Sequence, residues 1–119
     1  MANILVIDDC KVSRMVLRSI FEKYHHQVDE ANTGYQGEKI FRSKAYDIVF
    51  IDIFMPEQDG LQTIINIRRE NQNIPLIVMS GGGNLKDFNY LNYAIKLGAT
   101  YAYTKPVSQD NVDDIIKLL

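Results

Sequence analysis

The sequence predicts an α/β protein built on a parallel sheet. Three observations carry this. Apolar, strand-like runs alternate with helical patterns five times along 119 residues. The first three runs that end in a chemically active residue are continuous rather than alternating, as in strands covered on both faces. Each of four runs also stops at such a residue. Ile4-Leu5-Val6-Ile7 leads into Asp8-Asp9, Tyr46 to Ile51 into Asp52, Pro75 to Met79 into Ser80, and Tyr101 to Thr104 into Lys105-Pro106. If the strands are parallel, three carboxylates, a hydroxyl and an ammonium gather at one edge of one sheet.

Taken in order, the first strand is Ile4 to Ile7. A helix follows from Ser13 to Tyr24, with Val16, Leu17, Ile20, Phe21 and Tyr24 on one stripe. Gln27 to Ala31 is a weaker, edge-like strand. Thr33 and Gln36 have the spacing of a capping box and open a helix carrying Ile40 and Phe41. The Asp52 strand is next, then a helix from Gly60 to Asn71 with Leu61, Ile64 and Ile65. The Ser80 strand runs into Gly81-Gly82-Gly83-Asn84, expected to be a mobile loop. The fourth helix, Asn84 to Leu97, stops before Gly98. It carries two apolar stripes, Phe88-Leu91-Ile95 and Tyr90-Tyr93-Leu97. Ser108 caps the last helix, which points Val112, Ile115, Ile116 and Leu119 inward. Strand and helix repetition at this spacing requires right-handed crossovers. Ligands of such sheets bind beyond the carboxyl ends of the strands.

Composition excludes several classes. Residues 1–119 are expected to form one domain, with no output domain. The chain is 46% hydrophobic and 24% charged, with a net charge of −2, which gives no electrostatic reason to expect nucleic acid. One cysteine, Cys10, excludes a disulfide framework. No apolar run reaches the roughly 18 residues of a membrane span, and the first strand begins too soon for a signal peptide. The cytoplasm is the expected compartment. His25-His26 is expected to be solvated, and the acidic pair is expected to raise the Cys10 thiol.

The strand-end residues suit metal-assisted phosphoryl transfer onto a carboxylate. Clustered carboxylates repel one another, and a hard divalent cation relieves the repulsion. Asp8-Asp9, the D-x-x-M-P-x-x-D-G pattern from Asp52 to Gly60, Ser80 and Lys105-Pro106 occur in order, each at a strand end. Together they resemble the receiver domain of two-component response regulators, a single-domain, chemotaxis-receiver-like unit, over essentially the whole chain.

That resemblance implies a flavodoxin-like, doubly wound sheet of order 2-1-3-4-5 with five helices. It implies Asp52 as phosphoacceptor, with Lys105 and Ser80 acting on the phosphoryl group and a cis Lys105-Pro106 bond. Mg²⁺ would be held by Asp9, Asp52 and the Phe54 backbone carbonyl, with Asp8 acting mostly through water. The implied donor is a sensor histidine kinase, a phosphotransfer protein or a small phosphodonor. The implied output is a contact with an unknown downstream protein. The two apolar stripes of the fourth helix have two readings: a docking surface formed by that helix (Tyr90, Tyr93) and the fifth strand, or Tyr rings that cover neighbouring surface with their hydroxyls wet. Such a domain is a switch that catalyses its own phosphorylation and slow dephosphorylation rather than a turnover enzyme. One position departs from the family pattern. Ala102 stands where receivers carry an aromatic three residues before the lysine, and alternation puts Tyr101 and Tyr103 on the opposite face. Two alternatives stand beside the receiver: a pseudo-receiver binding module without the chemistry, and an aspartyl-phosphate phosphatase. The phosphatase class expects a second Asp two residues after the first, where Phe54 stands.

Overall fold

The computed structural model describes residues 1–55, 58–81 and 85–119, with side chains in the fourth helix described from residue 89 onward. Five strands and five helices alternate: β1 Asn3–Ile7, α1 Lys11–Glu22, β2 Gln27–Ala31, α2 Gly34–Phe41, β3 Ile48–Asp52, α3 Gly60–Glu70, β4 Leu76–Ser80, α4 Leu85–Leu97, β5 Tyr101–Thr104 and α5 Gln109–Ile116. The sheet order is β2-β1-β3-β4-β5, and every pairing is parallel. This is the doubly wound order expected from the family resemblance. Strand order reverses between β1 and β3, so the carboxyl ends of those strands flank the crevice in which such sheets take ligands.

Side-chain alternation along the strands splits the core in two. On one face Ile4, Val6, Phe50, Ile77 and Met79 meet Leu17 and Phe21 of α1 and Ile115 of α5. On the other, Leu5, Ile7, Val49, Ile51 and Val78 meet Ile64 and Ile67 of α3 and Leu91 and Ala94 of α4. Ala102 packs toward this second cluster, while Tyr101 and Tyr103 pack toward the first. All five residues of β3 and all five of β4 are buried.

Several inward stripes are narrower than their periodicity implies. In α1, Leu17 and Phe21 are buried, but Val16 is about half exposed, as is Tyr24 in the turn just beyond the helix. In α5, Val112 and Ile115 are buried and Leu119 lies in the open beyond the helix. Among the described side chains of α4, Leu91 and Ala94 are buried. Ile95 and Tyr93 face solvent, whereas Tyr90 packs on the core. The sheet is only five strands wide, so each helix lays one narrow ridge on it. Residues 82–84 of the expected glycine loop, the expected first helical residue Asn84 and the Phe88 side chain lie outside the described residues.

Helix boundaries follow local chemistry. Thr33 accepts from Gln36 N, while the Gln36 side chain accepts from Asn32 N instead of Thr33 N, one residue earlier than a capping box requires. Asp59 caps α3 through Gln62 N. At α5, Ser108 and Asn111 satisfy each other's backbone N–H groups. Ser108→Ala is expected to cost about 1 kcal/mol, read as a lowered denaturant midpoint at unchanged m-value. Gly98 ends α4 at φ +120, and the Arg68 side chain binds its carbonyl. His25 turns the chain after α1 at φ 65. His26 is half-buried rather than solvated, and its Nδ1 accepts from Ala2 N at 2.9 Å.

Candidate functional site

Four strand ends meet at one edge of the sheet. The last residue of β3 is Asp52, and Asp8 follows β1 directly. Asp8 is fully buried, Asp52 is 5% exposed, and Asp9 lies in the open. Carboxylate oxygens of Asp8, Asp9 and Asp52 all lie within 4.8 Å of one another. Asp8 is held by its backbone N–H on Ala31 O and by Oδ1, which accepts from Cys10 N. Arg14 Nη1 binds the Asp8 carbonyl at 2.7 Å, and Glu30 anchors that guanidinium from β2.

Lys105 reaches in from the end of β5. Its Nζ lies 2.7 Å from Asp8 Oδ2 and 3.5 Å from Asp52 Oδ1. Its N–H bonds Ser80 O at 2.7 Å, which ties β5 to the end of β4. The Lys105-Pro106 bond is cis. Ser80 is fully buried, and its Oγ has no hydrogen-bond partner among the described residues. A buried hydroxyl without a partner is uncommon in a folded protein, and here it stands at the edge that carries the carboxylates.

The electrostatics are strained in a specific direction. Burial, then the charges of Asp8 and Asp9, push Asp52 from the ordinary 3.8 to about 7, against the pull of Lys105. Burial works to lower Lys105, but Asp8 and Asp52 outweigh it and hold the ammonium above its ordinary value. The cluster therefore carries more negative charge than one lysine neutralises. An all-oxygen donor set with surplus negative charge fits a hard divalent cation such as Mg²⁺ and suits soft metals poorly. Cys10 corrects an expectation. Hydrogen bonding from Ser13 lowers its thiol, outweighing the opposing effects of burial and Asp8.

Phe54 lies in the loop that leaves β3. Ile53 N–H bonds Met79 O, and Ile53 O accepts from Gly60 N at 2.8 Å, which closes the loop at its base. The Phe54 ring is 42% exposed and stands edge-on to Tyr90, with centroids 5.1 Å apart. Thus the aromatic that leaves β3 touches α4. Beside Ala102, a groove of about 350 Å³ runs between α4 and the start of α5, lined by Leu91, Ile95, Thr104 and Asn111 among others. Tyr103 stacks on Tyr101 at 5.7 Å, and its buried hydroxyl has no partner among the described residues.

A second polar group went unrecognised in the sequence. Glu38 of α2, Gln58 of the loop after β3 and Thr63 of α3 are all buried. Gln58 Nε2 donates to Glu38 Oε2 and, at 3.0 Å, to Thr63 Oγ1. Asn66 Nδ2 adds a bond to Glu38 Oε2 at 3.0 Å. A signal was present: Glu38 lies one helical turn after Gly34, on the side that packs. Charge at one position does not reveal burial, however.

These features place the chain among doubly wound α/β domains that use the carboxyl edge of the sheet. The family model described as response regulator receiver domain matches residues 4–117, so the chain belongs to that family, whose members work in phosphorylation-based signalling with histidine kinases or phosphotransfer proteins. Sporulation initiation phosphotransferase F of Bacillus subtilis is 29% identical over 115 residues, 97% of this chain and 90% of that protein. The 3',5'-cyclic-nucleotide phosphodiesterase regA of Dictyostelium discoideum is 32% identical over 112 residues, 91% of this chain but 14% of that much longer protein. Among solved structures, response regulator protein TrrA of Thermotoga maritima in complex with Mg(2+)-BeF superposes with a TM-score of 0.87 at 27% identity, covering 100% of both chains. Among the described residues, no helix is long and apolar enough to cross a membrane.

Proposed function

We propose that residues 1–119 act as a phosphoacceptor receiver unit in which Asp52 takes a phosphoryl group from a histidine kinase, a phosphotransfer protein or a small phosphodonor. The observation that carries this is the buried Asp52 carboxylate, set between Asp8, Asp9 and Lys105, with the Ser80 hydroxyl, which has no partner among the described residues, at the same edge. A carboxylate oxygen of Asp52 attacks phosphorus in line, and the bond from phosphorus to the donor's nitrogen or oxygen breaks. The donor leaves with its electron pair. Asp52 must be ionised to attack, and its position near 7 leaves a fraction protonated at neutral pH. Mg²⁺, held by Asp9, Asp52 and the Phe54 carbonyl with Asp8 acting through water, would neutralise charge on the phosphoryl oxygens and shift Asp52 to its ionised form. Lys105 gives up part of its contact with Asp8 to reach a phosphoryl oxygen, and the Ser80 hydroxyl donates to another. Water later attacks the mixed anhydride, returning Asp52 and releasing phosphate. Output passes through protein contacts at α4 and β5, where Phe54 meets Tyr90 and where Tyr93 lies exposed.

Incubation with Mg²⁺ and acetyl phosphate, followed by intact mass, tests the reading. One base-labile phosphoryl group per chain supports it. Steady release of phosphate without an adduct points to a phosphatase, and no reaction points to a binding module. Lys105→Ala is expected to stay folded and to slow adduct formation about 100-fold. It removes the one ammonium that Asp8 and Asp52 share, and with it charge stabilisation of the transferring group. A normal rate in that variant would leave the lysine a structural role only.

A further inference from the structure

We infer that Glu38, acting through Gln58, is a positioning residue for the Asp52 site. It fixes Gln58 to Gly60, which bond back to Ile53 beside Asp52, and so sets the site's affinity for a divalent cation. This rests on the proposed reading of Asp8, Asp9 and Asp52 as cation-binding carboxylates.

The loop from Ile53 to Gly60 is closed at its base by the Gly60 N to Ile53 O bond, and Ile53 N is fixed on β4. On the α3 side, the described residues Gln58 and Asp59 are held by side-chain bonds. The Gln58 amide is buried, and one nitrogen bridges Glu38 on α2 and Thr63 on α3. The Thr63 hydroxyl in turn binds the carbonyl of Asp59, the next residue of the loop and the cap of α3. Glu38 therefore holds Gln58 directly and reaches Asp59 through Gln58 and Thr63. Two further bonds hold Glu38, from Asn66 Nδ2 at 3.0 Å and from Arg42 Nη2 at 3.4 Å, and Glu70 in turn holds Arg42 at 2.6 Å. The start of α2 is pressed onto the same group. A Cβ at Gly34 would lie 2.4 Å from Thr63 Oγ1 and 3.0 Å from Gln58 O.

A buried carboxylate is a costly way to fill that space, because an apolar pair of similar volume is often as stable or more so. What the polar group adds is direction. Two amide donors and a guanidinium define where Glu38 sits, and Glu38 defines where Gln58 sits. The segment thus fixed is Gln58 to Gly60, and the Gly60 bond to Ile53 O carries the constraint to the residue between Asp52 and Phe54, whose carbonyl is proposed to face the cation. Groups behind a metal ligand commonly change affinity by about 10–100-fold when removed.

The test is calorimetric titration of the metal-free chain with Mg²⁺ alone, with amide exchange at Gly60 and thermal midpoints read on the same samples. Glu38→Gln is expected to weaken Mg²⁺ binding about tenfold and to speed exchange of the Gly60 amide. Asn66→Ala, which changes no charge, is expected to move both in the same direction by less. Glu70→Gln removes a carboxylate of the same network that does not touch Gln58, and it should leave the affinity unchanged. Lowered midpoints with wild-type affinity and wild-type Gly60 exchange would overturn the proposal, as would equal weakening by Glu70→Gln. Failure of the unaltered chain to bind Mg²⁺ would overturn the cation reading itself, and this proposal with it.

Discussion

Asp52→Asn is expected to abolish the phosphoryl adduct and, in the absence of divalent cations, to make the fold more stable. Both effects come from one carboxylate. Asn offers no anionic oxygen to attack phosphorus, so mass analysis after acetyl phosphate should find unmodified chain. The stability effect follows from proton linkage. In the unfolded chain Asp52 loses its proton near 3.8, whereas in the folded chain it holds the proton to about 7. Between those values the folded state binds more protons, so this group's contribution makes stability fall as pH rises. Below 3.8 there is no penalty, and above 7 it is complete. A displacement of that size corresponds to about 4 kcal/mol at full burial. Partial access of water at the crevice reduces it, and about 2 kcal/mol is expected at pH 8. The midpoint of thermal unfolding in chelator should therefore rise by about 6–10 °C in the variant at pH 8 and change little at pH 4. Saturating Mg²⁺ should narrow the gap by stabilising the ionised wild type. A variant less stable than wild type at pH 8 would show that the Lys105 contact outweighs burial and the two neighbouring carboxylates.

Gly60→Ala is expected to cost about 3 kcal/mol and to impair phosphorylation as well. At an ordinary position in a helix the same change stabilises by about 0.5–1 kcal/mol. Gly60 starts α3, where a Cβ would lie 2.4 Å from Asp52 O and 2.7 Å from Ile53 Cα. Both are backbone atoms, and Ile53 is bonded to β4 and to Gly60 itself. Relief therefore requires the end of β3 to move, and Asp52 moves with it, at the upper end of the usual cost of overpacking. Gly81→Ala is the control. Among the described residues nothing lies within 4 Å of a Cβ added there, and its stability should match wild type within about 0.5 kcal/mol. Denaturant midpoints and adduct formation measured on both variants check the contrast. A Gly60→Ala chain with wild-type stability would mean that the strand end yields without cost.

The alternation of strands and helices, the parallel sheet and the residues of its carboxyl edge were all legible in the chain. Those signals are local. Continuous apolar runs such as Ile48 to Ile51 mark strands covered on both faces, and a charged residue at the end of such a run marks the edge. Resemblance to receivers added the strand order and the cis Lys105-Pro106 bond. The inward rows were less legible. Val16, Tyr24, Ile95 and Leu119 have apolar spacing and lie in the open, because periodicity reports which side of a helix is apolar and not how wide a sheet lies beneath it.

What the sequence by itself determined is the identity and order of the chemical groups: Asp8, Asp9, Asp52, Ser80 and Lys105, each at the end of its strand. Only the tertiary structure decided how they divide the charge. Lys105 lies closer to Asp8 than to Asp52, and burial leads the causes that raise Asp52 to about 7. Neither could be read from spacing, because both depend on distances between residues 44 to 97 positions apart in the chain. The network of Glu38 and Gln58 belongs to the same class. A glutamate on a helix reads as solvated surface until a second helix and a loop close over it. Here α3 and the loop after β3 bring the amides and hydroxyl that make its burial tolerable.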